Sequence, residues 1–409
     1  MKIYISGISG TGMGPLALMT KEAGFDVCGS DLAEGAVYPE LTKAGIDVKI
    51  GAQDGEFLKE KITEGVEWFV YTSALPENHP ELLIAKEAGI RVSKRDDLIA
   101  FLVEKLGLKM VAVAGTHGKT TTTSMLVWAA LQMGLPVSYI VGTTLGFAPS
   151  GAYHKGDKYF IYEADEYDRN FLKFHPWLAV IPAVSYDHPD IYPTREDYAA
   201  AFNQFEAQSQ KVIKLENAEF KAEDFDLAGE VRRMDAALAA EAVKNMILDC
   251  GETADKSVVE IINKFPGVGR RFEKLAEGIY TDYAHHPEEI ATTLGIAKEE
   301  AERTGKKGVV VVYQPHQNTR QHEVRAGYRE ALVGADRILW LPTYLTRENP
   351  ELAVISPEEF IDDLVDPSIA EAVELDDSLF AKIKKYRDDG YLVVLMTAGP
   401  ADEWLRKNS

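Results

Sequence analysis

The chain has little cysteine: Cys28 and Cys250 are the only two. They lie far apart and show no metal-ligand spacing, so neither a disulfide scaffold nor a zinc framework is expected, and both read as buried thiols. Long apolar runs are also missing. No stretch of about 18 apolar residues exists, so no membrane span is expected. The opening MKIYISGISG has neither the longer apolar stretch nor the cleavage site of a leader. Basic residues are outnumbered, 44 Lys and Arg against 65 Asp and Glu, for a net charge of −21. That deficit argues against a nonspecific grip on nucleic acid or anionic lipid. It leaves room for an anionic small molecule, which a few cations and a helix N-terminus hold locally. Together these absences point to a cytoplasmic protein with no nucleic-acid and no membrane partner.

What is present is ordinary globular material. Apolar residues make up 46% of 409, enough for several cores. At about 100–200 residues per domain, two to four domains are expected, with three the natural reading. Residues 2–6 (KIYIS) read as a buried strand, followed by a turn with Gly7, Gly10, Gly12 and Gly14 and a helix over 15–23. Strands are expected at 25–29 and 68–74. A new unit opens near Lys109 with a strand at 110–114, further strands at 159–164 and 178–184, and a helix over 195–208. The acidic stretch 214–230 reads as a loop, and 231–248 as an Ala-rich helix. A third unit opens around 265–271, with strands at 308–313, 337–341 and 391–396. Strands alternating with helices imply parallel α/β sheets.

AGTHGKTTTT (114–123), directly after a strand, carries the strongest chemical signal. Glycines let backbone N–H groups approach phosphate oxygens, a lysine neutralises charge, and a hydroxyl serves Mg²⁺. Gly115, Gly118, Lys119 and Thr120 supply these parts, in a compact variant of the general pattern with Val113 where a further Gly would stand. EADEYD (163–168) is either a solvated turn or a carboxylate set for Mg²⁺, which prefers oxygen ligands. In YDHPD (186–190), His188 is either a satisfied loop histidine or part of a metal and phosphate site with Thr120 and Glu163. FPGVGRRFE (265–273) presents Arg270 and Arg271, whose forked donors suit phosphate. DYAHHPEEI (282–290) places two histidines where a turn opens a helix at 287–289, and YQPHQNTR (313–320) puts His316 and Arg320 at a strand end, where they would hold a carboxylate. The first loop, GISGTGMG, fits a pyrophosphate turn or a plain tight turn.

In this order the motifs GTHGKTTTT, EADE, DH, RRFE and DYAHHP resemble the Mur ligases, three-domain enzymes that build the peptide of bacterial cell-wall precursors. The resemblance runs in register from Gly7 to about Arg320 and more weakly to the end. It implies an α/β fold of three domains. These are a Rossmann-like UDP-sugar-binding domain over 1–107, a central P-loop ATPase-like parallel sheet over 108–267, and a Rossmann-like amino-acid-binding domain over 268–409. GISGTGMGPLA with GSD (29–31), TSALPENHPE (72–81), FPGVGRRFE, YQPHQNTR, and Phe202 where other branches carry a carbamylated Lys look like the alanine-adding branch. EADEYD leans toward the branch that recycles a whole tripeptide.

The implied reaction uses ATP and Mg²⁺ to join L-alanine to the carboxylate of UDP-N-acetylmuramic acid through an acyl phosphate. By the resemblance, Gly115, Thr116, His117, Gly118, Lys119, Thr120 and Thr121 bind ATP. Thr120 and Glu163 hold one Mg²⁺, and His188 serves a second. Lys119, Glu163, His188 and Arg271 surround the transferring phosphoryl group. Gly10, Gly12, Asp31 and Ser73 hold the UDP-sugar, and Tyr283, His285, His316 and Arg320 position the amino acid. A monomer or homodimer is expected.

The sequence departs from the family at three places. Glu230, Val231 and Asp235 stand where a base-contacting His and two Asn are usual, Gln317 replaces the first Arg of a carboxylate clamp, and Ala183 replaces an Asn. Against the ligase stand a nucleotide-binding relative without turnover and a dinucleotide-dependent oxidoreductase. The latter would leave GTHGKTTTT without a role.

Overall fold

In the computed structural model of the chain, residues 1–35, 37–72, 75–188, 191–253, 257–346 and 348–408 are described. They form α/β structure with three mostly parallel sheets. The contacts divide into two compact units, Met1–Phe225 with Met234–Pro266, and Asp226–Arg233 with Gly267–Ser409.

The first unit carries two sheets. β1 (Lys2–Ser6), β2 (Asp26–Asp31), β3 (Asp47–Ile50), β4 (Val66–Tyr71) and β5 (Arg91–Lys94) lie in the order β3-β2-β1-β4-β5, all parallel. The order reverses beside β1, so the glycine turn after β1 sits at the switch point where such sheets open a crevice. β6 (Lys109–Val113), β7 (Val137–Ile140), β8 (Gly151–Ala152), β9 (Tyr159–Glu163), β10 (Leu178–Val180) and β11 (Val212–Ile213) follow in the order β11-β10-β6-β9-β7-β8, with only β7–β8 antiparallel. The turn after β6 therefore opens between the ends of β9 and β10.

One continuous core joins these two sheets. Ile3, Ile5 and Trp68 belong to the same buried cluster as Ala112, Phe160, Phe171 and Phe202. Helix Arg95–Leu106 stands between them in sequence and contributes Leu98, Ile99 and Leu102 to that cluster. Burying such a side chain is worth roughly 1.5–3 kcal/mol, so the helix is firmly seated. β10 is shorter than the strand expected over 178–184. Pro182 has no N–H to donate, and the ladder stops at Val180. β3, β5 and β7, four residues each, have too little pattern to be read from sequence.

In the second unit, β12 (Glu273–Ala276), β13 (Ile279–Asp282), β14 (Val309–Gln314), β15 (Arg337–Trp340), β16 (Ala370–Ala372) and β17 (Leu392–Thr397) form the order β12-β13-β17-β14-β15-β16. β14 and β17 are buried along their whole length, as the apolar runs at 308–313 and 391–396 require of central parallel strands. Among the described residues, no helix is long and apolar enough to cross a membrane.

Candidate active site

After β6 the chain turns through 114–118 into helix Lys119–Gln132. Gly118 sits at φ +81°, and a Cβ there would lie 2.5 Å from Asp235 Oδ1. At Gly115 a Cβ would lie 2.6 Å from the Ala183 carbonyl oxygen. Only glycine fits both places. The loop is tied to the segment after β10. Thr116 N donates to Ala183 O at 2.7 Å, and the Thr116 hydroxyl donates to Ser185 O at 2.6 Å and lies 2.7 Å from the Tyr198 hydroxyl. His117 bridges to Ala183 across the same seam. The loop is thus shaped by its neighbours.

Lys119 opens the helix and folds back. Its Nζ donates to Gly115 O at 2.6 Å and to the two Glu166 oxygens at 3.0 and 2.8 Å. Glu166 is 1% exposed. Burial pushes its carboxyl up from the ordinary value, while the Lys119 charge pulls the other way without cancelling the rise. Thr120 Oγ1 donates to Glu163 Oε1 at 2.9 Å, at the end of β9. His188 has φ +55° and sets Nε2 3.8 Å from Glu166 Oε1 and 3.7 Å from Asp187 Oδ2. Thr121 follows in the first turn of the helix, and Thr122 Oγ1 donates to Asp235 at 3.0 Å.

Among the described residues, no three His, Cys, Asp or Glu side chains gather as a metal nest. Mg²⁺ commonly takes one or two carboxylates and completes its shell with water and phosphate. The Thr120–Glu163 oxygen pair fits that pattern.

The turn after β1 is held differently. Gly7 N and Ile8 N donate to Ser30 O at 2.8 and 3.1 Å. Asp31 Oδ2 accepts from Ser9 N and Oδ1 from Leu32 N, both at 2.8 Å. Below lies Glu81, 1% exposed, which accepts from the hydroxyls of Tyr4 (2.5 Å), Ser6 (2.6 Å) and Ser30 (2.6 Å). Gly10 is exposed on the turn. Gly12 lines a cavity of about 260 Å³ together with Arg95, Lys119, Tyr162, Glu163 and Asp165. The glycine turn of the first sheet and the phosphate loop of the second thus share one space. Ser73 lies outside the described residues.

In the second unit, side chains collect at the ends of β13 and β14. Arg270 and Arg271 stand 4.5 and 5.4 Å from the centre of the Tyr283 ring. His285 Nδ1 is 3.0 Å from Tyr283 O and 3.1 Å from Glu289 Oε2. Burial opposes ionisation of Glu289, but the bond and charge of His285 prevail and hold its carboxyl down at about 2. The His285 and His316 rings are 5.9 Å apart. Burial first, then the charges of His285 and Arg320, push His316 down to about 4. The Arg320 guanidinium has no hydrogen bond or ion pair among the described residues. An uncommitted guanidinium beside a neutral imidazole is a place for a small carboxylate. Gln317, at φ +64°, donates its backbone N–H to Tyr344 O and offers no second cation.

The family model described as the Mur ligase family catalytic domain matches residues 2–105, and that of the Mur ligase middle domain matches 113–228. The UDP-N-acetylmuramate–L-alanine ligase of Carboxydothermus hydrogenoformans is 30% identical, with 98% of this chain and 94% of that protein covered. The chain belongs to the Mur ligase family. A protein of the same description from Kineococcus radiotolerans is 33% identical over 86% of this Mur ligase and 83% of the relative. The crystal structure of UDP-N-acetylmuramate–alanine ligase from Thermotoga maritima superposes with a TM-score of 0.75 at 25% identity, covering 100% of this chain and 98% of that one. A murein peptide ligase from Psychrobacter arcticus shares the fold, with a TM-score of 0.62 at 22% identity over 100% and 98% of the two chains.

Of the residues singled out from sequence in this Mur ligase, the structure gathers Gly12, Lys119 and Glu163 around one cavity and Thr120 against Glu163. It gathers Arg271, Tyr283, His285, His316 and Arg320 in the second unit. Glu166, Arg95, Tyr198 and Glu81 escaped notice. Glu166 lay inside EADEYD, where the carboxylate that meets Lys119 is not marked by type. Arg95, Tyr198 and Glu81 carry no local motif.

Proposed function

We propose that the protein is an ATP-dependent ligase that joins L-alanine to the carboxylate of UDP-N-acetylmuramic acid in peptidoglycan precursor synthesis. The supporting observation is the cavity shared by Gly12, Lys119 and Glu163, in a chain whose relatives across nearly its whole length carry that activity in their names. Residues 1–107 hold the UDP-sugar, 108–267 hold ATP, and 268–409 hold the amino acid.

A carboxylate is a poor acyl donor until one oxygen becomes a leaving group. The muramyl carboxylate oxygen forms a bond to the γ-phosphorus as the bond to the ADP oxygen breaks. The free amine of alanine then attacks the acyl carbon, phosphate departs, and the amine loses a proton. Gly115, Thr116, His117, Gly118 and Thr121 cradle the ATP phosphates, and Lys119 and Arg271 offset charge on the transferring oxygens. Thr120 and Glu163 would hold Mg²⁺, with His188 serving a second ion, and the metal supplies charge neutralisation on the phosphate oxygens. Gly10, Gly12, Asp31 and Ser73 hold the UDP part. Tyr283, His285, His316 and Arg320 orient the amino acid. The reaction belongs in the cytoplasm, where ATP and nucleotide sugars are found, and needs no nucleic acid or membrane. A monomer or homodimer suffices for it.

The test is phosphate release with ATP, Mg²⁺ and UDP-N-acetylmuramic acid, varying L-Ala, Gly, L-Ser and L-Ala-γ-D-Glu-meso-diaminopimelate. Fastest turnover with L-Ala is expected. Preference for the tripeptide would move the protein to the recycling reaction. No turnover with any acceptor, alongside UDP-sugar binding, would make it a non-catalytic binding protein.

A further inference from the structure

We propose that Arg95 receives the reacting carboxylate of the sugar substrate in the cavity beside Lys119 and Glu163. This rests on the ligase reading above. Arg95 is the first residue of helix Arg95–Leu106, directly after β5, and Leu98, Ile99 and Leu102 fix that helix in the core. Its guanidinium therefore stands on a rigid element.

Arg95 lines the same cavity as Lys119 and Glu163. A guanidinium carries five N–H donors. Among the described residues its hydrogen bond is from Nη2 to Asp96 Oδ1 at 3.3 Å, and Nε has no partner. Asp96 is shared, since it also accepts from the Tyr162 hydroxyl at 2.8 Å. Most of the fork is left over for a ligand. Lys119 is in the opposite position, with Nζ engaged by Gly115 O and both Glu166 oxygens.

The direction of approach is also given. A Cβ on Gly12 would lie 3.0 Å from Arg95 Nη1, so the guanidinium lies against the very turn proposed to carry the UDP-sugar. A ligand seated on that turn has Arg95 within reach in the cavity that the turn and the phosphate loop share. The chemistry needs a cation there. A carboxylate must come within bonding distance of a polyanionic phosphate, and a planar fork binds carboxylate with two parallel donors, fixing which oxygen faces the phosphorus.

The experiment compares two ligands that differ by the lactyl ether bearing the carboxylate, UDP-N-acetylmuramic acid and UDP-N-acetylglucosamine. Calorimetry uses the full chain as wild type, Arg95→Lys and Arg95→Ala. The expected result is a loss of about tenfold or more in affinity for the carboxylate-bearing sugar in Arg95→Ala. Affinity for UDP-N-acetylglucosamine stays unchanged, and Arg95→Lys falls between. Hydroxylamine trapping of the acyl phosphate falls in the same order.

An equal loss for both sugars would mean that Arg95 only shapes the fold, and no loss would mean that it is idle. Either result overturns the proposal while the ligase reading stands. Failure of the wild type to bind UDP-N-acetylmuramic acid would overturn the reading and the proposal together. Retained UDP-N-acetylglucosamine binding reports that each variant is folded.

Discussion

Replacing Lys119 with alanine tests the centre of the phosphate loop twice, once through chemistry and once through stability. Lys119 Nζ lies 3.0 and 2.8 Å from the oxygens of Glu166, a carboxylate that is 1% exposed. Removing one partner of a buried pair leaves the other uncompensated, at a cost of about 3–5 kcal/mol. The Lys119 side chain is 16% exposed, so the lower end is expected. The pH dependence follows from the direction of the Glu166 shift. Burial already raises its folded pKa above the unfolded value, and the Lys119 contributions that lower it disappear in the variant. An acid with a raised folded pKa weakens the fold where it must ionise, above that pKa, and ceases to do so as pH falls toward the unfolded value. Lys119→Ala should therefore lose about 3 kcal/mol at pH 8 and less at pH 5.5. Urea unfolding at both pH values measures this. Adding Glu166→Gln should restore most of the stability at pH 8 and none of the activity, with phosphate release abolished in both variants and UDP-sugar binding kept. An equal loss at both pH values, or a double variant no more stable than the single, would refute the buried-pair reasoning. Normal turnover of Lys119→Ala would refute the phosphate-loop assignment.

Further outcomes are open to direct measurement. Gly118→Ala, which meets Asp235 Oδ1 at 2.5 Å with φ at +81°, should weaken ATP binding about tenfold or more while UDP-sugar binding survives, because forcing an alanine into this region costs about 1–2 kcal/mol before the clash is counted; isothermal titration reads both. Glu163→Gln should raise the Mg²⁺ concentration needed for half-maximal phosphate release, and an unchanged Mg²⁺ curve would remove Glu163 from the metal site. Arg320→Ala should raise KM for the amino acid by about tenfold or more, the worth of hydrogen bonds to a charged group, with KM for ATP unaltered. Glu81→Ala leaves the Tyr4, Ser6 and Ser30 hydroxyls without their shared acceptor, and a loss of roughly 2–4 kcal/mol in urea unfolding is expected.

The parts of the fold legible in the sequence were those whose signal is local. The turn of AGTHGKTTTT needs its glycines for steric reasons within a few residues, so motif and geometry coincide at Gly115 and Gly118. Helix Arg195–Gln208 was legible end to end because Thr194 caps it, accepting from Asp197 N at 3.1 Å. What stayed hidden depends on distant partners. Glu81 finds its donors on β1 and β2, more than fifty residues earlier in the chain, and a carboxylate in the first turn of a helix looks like any solvated one. Arg95 acquires meaning only when Gly12 and Glu163 are brought to it. Asp235, marked in the sequence only as a departure in the base-contact stretch, accepts from Thr122 and packs at Gly118, beneath the phosphate loop. β13, four residues long and wholly buried, gives no alternation to read.

Asp31 has a wider consequence. Each of its carboxylate oxygens accepts one backbone N–H, from Ser9 and from Leu32, so the side chain shapes the turn and still keeps lone pairs for a ligand. Most main-chain amides of that turn are likewise engaged, Gly7 and Ile8 to Ser30 O, Gly10 to Gly7 O, and Met13 and Gly14 to Gly10 O, so a substitution at Asp31 disturbs the path of the turn as well as removing a carboxylate. Ligand preference on that side of the molecule would then be hard to retune one residue at a time, and a change of nucleotide sugar would call for a turn of different length or path.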